Sequence, residues 1–195
     1  MTNTALVFEG GAMRAVYSAA MVQALLEEPI HFSWVCGNSA STSHVAYYIA
    51  KDAQRMRETF TTLPSHPQFG GLRTWARGHG FFNADFLYGQ AGQPGHPVGV
   101  DWEAFQASPV RYRFSGFNAA AGETVHWGHE RYNATKRHIF DLERQGRAYI
   151  VTPEHMRVGN SSRNRKRLET AYATGLAQAR REMPAILDFL AAGGF

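Results

Sequence analysis

The stretch Phe32-Ser33-Trp34-Val35-Cys36-Gly37-Asn38-Ser39-Ala40-Ser41-Thr42 decides how the remainder of the 195-residue chain is read. An apolar run ends at a glycine and a helix is expected from about Thr42, so Ser39 falls on a tight strand-to-helix turn. A serine placed there projects its hydroxyl above the sheet, with a helix N-terminus beneath it. The pentapeptide Gly37-Asn38-Ser39-Ala40-Ser41 follows G-x-S-x-G except at its last position, where Ser41 is still small enough for a strained turn. Taken alone, the pentapeptide is more often a plain helix cap in which Ser39, Ser41 or Thr42 accepts the first N–H groups.

Upstream, the run Ala5-Leu6-Val7-Phe8 is expected to be a buried strand ended by Glu9-Gly10-Gly11. From Arg14 to Leu26, Val16, Ala20, Ala24 and the pair Leu25-Leu26 recur at helical spacing, and Pro29 closes that helix. The small residues of Glu9-Gly10-Gly11-Ala12-Met13-Arg14 allow backbone N–H groups to converge at a helix N-terminus, a nest for a phosphate or a developing oxyanion. The segment matches neither G-x-G-x-x-G nor G-x-x-x-x-G-K-[ST], which makes nucleotide binding the weaker rival. Two successive βα units, one ending in an anion nest and the next in a raised serine, form a coherent acyl-transfer site at the carboxyl ends of parallel strands.

Downstream, one helix is expected from about Thr42 to Phe60, with Tyr47, Tyr48 and Ile49 on its buried side. Residues 62–100 read as a loop or cap region with a short helix at Asn83–Tyr88. The apolar residues Phe81, Phe82, Phe86, Leu87 and Tyr88 there suit a small satellite core more readily than a lid. A helical turn is expected at Asp101–Ala107 and a hairpin from Val110–Phe117 and Thr124–Trp127. Helices are expected at His129–Gln145, Arg163–Met183 and Pro184–Ala192, with a last strand at Ala148–Val151. The fold class is therefore α/β.

Composition fits one domain over 1–195, with 44% hydrophobic residues and 19 glycines that show no period. A single cysteine, Cys36, excludes a disulfide framework and suggests the cytoplasm. No secretory leader is expected. The uncharged stretch Pro29 to Ala50 is too polar for a membrane span, so contact with a membrane is expected to be peripheral at most. The net charge of +4 is concentrated in Arg157 and the run Arg163-Asn164-Arg165-Lys166-Arg167, which a solvated helix face explains more often than a binding site does. No nucleic-acid partner is expected. Nine histidines occur without H-E-x-x-H or another metal-ligand spacing, so no metal or other cofactor is expected. His44, five residues after Ser39, is expected to line the pocket, and a Ser-His-Asp esterase remains an alternative.

These residues resemble the patatin-like phospholipase family, in a bacterial branch. The likeness runs from Ala5-Leu6-Val7-Phe8-Glu9-Gly10-Gly11-Ala12-Met13-Arg14 through Trp34-Val35-Cys36-Gly37-Asn38-Ser39-Ala40-Ser41. It extends to Gly80-Phe81-Phe82-Asn83-Ala84, Asp101-Trp102-Glu103-Ala104-Phe105, Glu123-Thr124-Val125-His126-Trp127-Gly128 and Glu130-Arg131-Tyr132-Asn133-Ala134-Thr135. Ala12 and Ala15 depart from the family's G-G-G-x-R-G, both conservatively in size.

The resemblance implies a three-layer fold, with a mostly parallel sheet between helices, and a serine hydrolase of lipid acyl esters that uses a Ser–Asp dyad. Ser39 would be the nucleophile, set by Gly37. Gly10, Gly11, Ala12 and Met13 would form the oxyanion loop, and Arg14 would brace that loop or the acidic head group. The family takes its base from an Asp before Gly-Gly or Gly-Ala, yet none of Asp52, Asp85, Asp101, Asp141 and Asp188 precedes a glycine. Gly128 is followed at once by a region that lies well beyond that motif in the family. Either the segment is lost and the protein is an inert lipid- or protein-binding relative, or a further internal segment belongs between residues 128 and 129. The second is expected, because losing central strands exposes apolar faces and unpaired edges.

Overall fold

The computed structural model describes the backbone of residues 2–118, 120, 122–128 and 136–192, and the side chains of 4–115, 120, 122, 123 and 140–192. Strand β1 (Thr2–Phe8) leads through a 3-10 turn (Ala12–Ala15) into helix α1 (Val16–Leu26). Strand β2 (Phe32–Asn38) leads through a second 3-10 turn (Ser39–Ser41) into α2 (Thr42–Ile49) and then α3 (Ala53–Thr61). The cap region holds short helices α4 (Leu72–Ala76) and α5 (Ala84–Phe86), the latter continuing as a π-type turn over Leu87–Ala91. Helix α6 (Trp102–Ala107), the hairpin β3 (Arg111–Asn118) and β4 (Glu123–Gly128), α7 (Lys136–Arg144) and the long α8 (Arg165–Ala192) complete the order.

The sheet runs β1-β2-β3-β4, with the first three strands parallel and β4 antiparallel to β3. Alternation along a strand sends successive side chains to opposite faces. Phe8 and Val35, with Tyr112 and Phe114 partly buried beside them, pack into the common core with α1 and α2. α8 lies across α1, and the approach is close because Gly175 has no side chain: a Cβ there would sit 3.2 Å from Ala20 Cβ and from the Tyr17 ring. The Tyr17 hydroxyl donates to Gln178 Oε1 at 2.7 Å, and that of Tyr172 to Gln23 Oε1 at 2.5 Å.

The register puts Val7, Cys36 and Arg113 on the opposite face of the sheet. There Val7 stays 45% exposed and Ala5 is exposed, so no described helix closes over β1 on that face. The expected three layers are thus incomplete among the described residues. On the same face Arg113 is only 3% exposed, and its Nε and Nη1 have no hydrogen-bond partner among the described residues. The expected junction between Gly128 and His129 lies outside the described residues.

Three expectations differ from what is observed. The single helix over Thr42–Phe60 is two helices, because Lys51 turns into the left-handed region (φ 57) and the Asp52 carboxylate caps α3 by accepting the Arg55 N–H at 2.9 Å. The last two helices are one, with Pro184 exposed inside α8. Ala148–Val151 is not a strand: the Ile150 N–H donates to Glu143 Oε1, and the Tyr149 ring packs on Phe189. Of the expected helix His129–Gln145, Lys136–Arg144 is helical and residues 129–135 lie outside the described residues.

Candidate active site

The register pairs Phe8 with Gly37, which brings the ends of β1 and β2 side by side and sets the two loops that follow them against each other. The Gly10 N–H donates to Asn38 Oδ1 at 2.7 Å. A Cβ on Gly10 would sit 2.9 Å from Asn38 O and 3.0 Å from Ser39 Cβ, so only glycine permits this approach. Gly37 is held by the same constraint within its own turn, since a Cβ there would lie 2.6 Å from Ser41 O and 3.0 Å from Val45 Cγ2.

Ser39 follows the extended Asn38 and adopts φ 51, in the left-handed region that costs a non-glycine residue about 1–2 kcal/mol. Its side chain is exposed at the mouth of the turn. What holds the strained residue is Ser41, which is fully buried. The Ser41 hydroxyl reaches both Phe8 O at 3.1 Å and Asn38 O at 2.8 Å, joining the ends of the two strands. The Thr42 hydroxyl donates to Ser39 O at 2.8 Å. The serine that stands where G-x-S-x-G has glycine is therefore a structural tie, and α2 carries no side-chain N-cap bond from it.

In the glycine loop, Ala12 is also left-handed, with φ 47. Two of the four expected oxyanion donors are already engaged: the Gly10 N–H by Asn38, and the Met13 N–H by Asn160 O at 3.3 Å. Gly11 and Ala12 stand at the start of the 3-10 turn, positions whose N–H groups have no acceptor within the helix itself. Arg14 donates its backbone N–H to Gly11 O at 3.0 Å and extends an exposed side chain. Asn38 and Asn160 are the site residues that sequence reasoning missed. Asn38 is a polar residue ending an apolar strand, a usable signal; nothing local marks Asn160.

The aspartates have other work. Asp52 caps α3 and pairs with Arg55 at 3.0 Å, while Asp101 caps α6 by accepting the Ala104 N–H. Asp85 lies 3.9 Å from His79, Asp141 pairs with Arg144, and Asp188 is exposed on α8. His44 is fully buried between the Phe8 and Phe60 rings and does not line an open pocket. Its Nε2 lies 2.8 Å from Ala15 O and therefore carries the proton, leaving Nδ1 without a partner among the described residues. Burial holds its pKa down to about 4, so the ring is neutral and braces the start of α1. Cys36 is buried too, and desolvation pushes its thiol up to about 11. Among the described residues no group of three or more His, Cys, Asp or Glu side chains is placed to hold a metal ion.

No curated protein matches the chain, and no solved structure does. Residues 121–191, which take in β4, α7 and nearly all of α8, match a family described as a domain of unknown function (DUF6363). That stretch is little more than a third of the chain, and it leaves out both the glycine loop and the Ser39 turn.

Proposed function

We propose that the protein is a serine acyl hydrolase acting on lipid esters, built on the three-layer patatin-like plan that its sequence resembles. The observation that carries the reading is Ser39: an exposed serine held in a left-handed turn at a strand end, in contact with a glycine loop. Backbone strain of this kind persists where the surrounding structure over-determines it, as the Ser41 and Asn38 bonds do here. The Ser39 hydroxyl attacks the ester carbonyl and passes its proton to the aspartate that the family resemblance expects in a further segment between residues 128 and 129. The negative oxygen is received by the Gly11 and Ala12 N–H groups, with the helix dipole behind them. The alcohol leaves with a proton, and water then releases the acid from Ser39.

The five aspartates, each capping, paired or exposed elsewhere, favour a second reading: a relative that keeps the turn without a base and binds lipid or protein instead. Turnover of a short-chain nitrophenyl ester separates the two. Hydrolysis lost in Ser39→Ala supports the enzyme. Equal rates in both proteins refute Ser39 as nucleophile, and no hydrolysis in either supports the binding module.

A further inference from the structure

The cap that follows α3 presents large apolar side chains to solvent. Leu72 is 78% exposed and Trp75 66%, one turn apart on α4, while Tyr88 is 77% exposed. Phe81 and Phe82, about 40% exposed each, join them through the Gly70–Phe82 bridge and the bond from the Gly71 N–H to Phe81 O. The separate satellite core expected here does not form: Phe86 is buried in the common core with Leu87 packed against it, and the other three side chains face solvent. An apolar surface of this kind marks a contact with something else.

Basic side chains stand on this segment and on the start of α8 that Arg163 ties to it. Arg73 and Arg77 are exposed on and after α4. Arg163 donates to Pro64 O at 3.1 Å and to His66 O at 3.2 Å and fills the space beside Gly71, which joins the cap to the start of α8. Arg165, Lys166 and Arg167 follow after Asn164, all exposed, with no acidic residue in that first turn. Glu169 is already occupied by Arg57 at 2.9 Å, and the acid of the cap, Asp85, lies beside His79. The connecting segment also reaches the candidate site, since Asn160 accepts the Met13 N–H.

Aromatic and aliphatic side chains rimmed by arginine and lysine fit an interface in which apolar groups enter the acyl boundary and cations meet negative headgroups. We propose that the α4 cap and the first turn of α8 together dock the protein on an anionic lipid surface. No described helix is long and apolar enough to cross a membrane, so the contact is lateral. The proposal rests on the lipid-ester reading for what the bound surface supplies to Ser39; the binding itself is measured separately.

The test is sedimentation of the 195-residue protein with vesicles of neutral phosphatidylcholine, with or without about one-third phosphatidylglycerol, at low and high salt. Binding should require the anionic lipid and weaken with salt, because exposed charges are screened. Reversing Arg165, Lys166 and Arg167 to Glu should lower partition more than a hundredfold, at about fivefold per basic residue lost. Leu72→Ala with Trp75→Ala should lower it about tenfold. Acidic residues suit the first turn of a helix, so the reversal leaves the fold intact, which circular dichroism checks. Absence of binding overturns the proposal, as does equal binding to both vesicles or binding that ignores the variants. Capture of DNA that the same reversal abolishes, with no vesicle binding, assigns the patch to nucleic acid and also overturns it. Nitrophenyl ester turnover on the same samples keeps the readings apart. Vesicle binding without turnover sinks the hydrolase alone; turnover without vesicle binding sinks the docking surface alone.

Discussion

Substituting Gly10 by alanine drives a wedge between the two loops on which the site depends. The new Cβ would lie 2.9 Å from Asn38 O, 3.0 Å from Asn38 Oδ1 and 3.0 Å from Ser39 Cβ, so the loops must part by several tenths of an ångström. Overpacking at a closed contact costs about 1–3 kcal/mol, and losing the Gly10–Asn38 bond adds about 1 kcal/mol. Against this, alanine restricts the unfolded chain and returns about 0.5 kcal/mol, since Gly10 is outside the left-handed region. The net loss is about 1.5–3.5 kcal/mol. Gly89→Ala is the control: nothing lies within 4 Å of a Cβ there, and Gly89 is not left-handed, so that variant should be neutral or slightly more stable. Urea unfolding measures both. Because a misplacement of about 1 Å can cost 10²-fold in rate, Gly10→Ala should also lower ester turnover about tenfold or more. A Gly10→Ala protein as stable as the Gly89→Ala control, with turnover unchanged, refutes the packed-loop account.

Three further outcomes follow from other parts of the structure. His44 titrates near 6.5 in the unfolded chain but only at about 4 when folded, so the unfolded state binds the extra proton between those values. Stability present above pH 6.5 should fall by about 3 kcal/mol as pH drops to 4, and His44→Gln should remove that share of the slope; urea melts across this range with parallel curves contradict it. Ser39→Gly should relieve the left-handed strain and raise stability by about 0.5–1 kcal/mol while abolishing turnover, with Ser39→Ala unchanged in stability; a glycine variant that melts lower than the native protein contradicts the turn geometry. Arg113→Met removes a buried guanidinium with unsatisfied donors and should be neutral or stabilising by about 1–3 kcal/mol. A loss of more than about 1 kcal/mol there means that Arg113 has a partner beyond the described residues.

The parts of the molecule that obey local rules were legible. β1 and β2 are apolar runs stopped by glycine, and the 3-10 turns at Ala12–Ala15 and Ser39–Ser41 stand where small residues precede helical spacing. What was not legible needed the two loops to meet. Ser41 looks like a spacer until Phe8 O comes within reach of it, and the Gly10 N–H looks free until Asn38 takes it. Removing the Ala12 N–H by Ala12→Pro is natural from sequence alone, yet φ 47 at that residue is out of reach for proline, so such a variant would test the fold and not the donor. Spacing gives the direction of His44 along its helix but not its depth, so the expectation that it lines a pocket fails: its ring is sealed between Phe8 and Phe60. The break at Lys51–Asp52 carried its own signal, an aspartate three residues before the N–H it caps. Pro184 misled in the other direction, because an exposed proline can be absorbed in a 28-residue helix held by packing along its other face.

The central claim is that Ser39 is an activated nucleophile, and covalent labelling tests it most directly. The folded protein is treated with a fluorophosphonate probe, and the adduct is located by mass spectrometry. One adduct on Ser39, absent from Ser39→Ala and from protein unfolded before treatment, is the predicted result. No adduct on the folded protein, or an adduct on another serine with Ser39 untouched, contradicts the account.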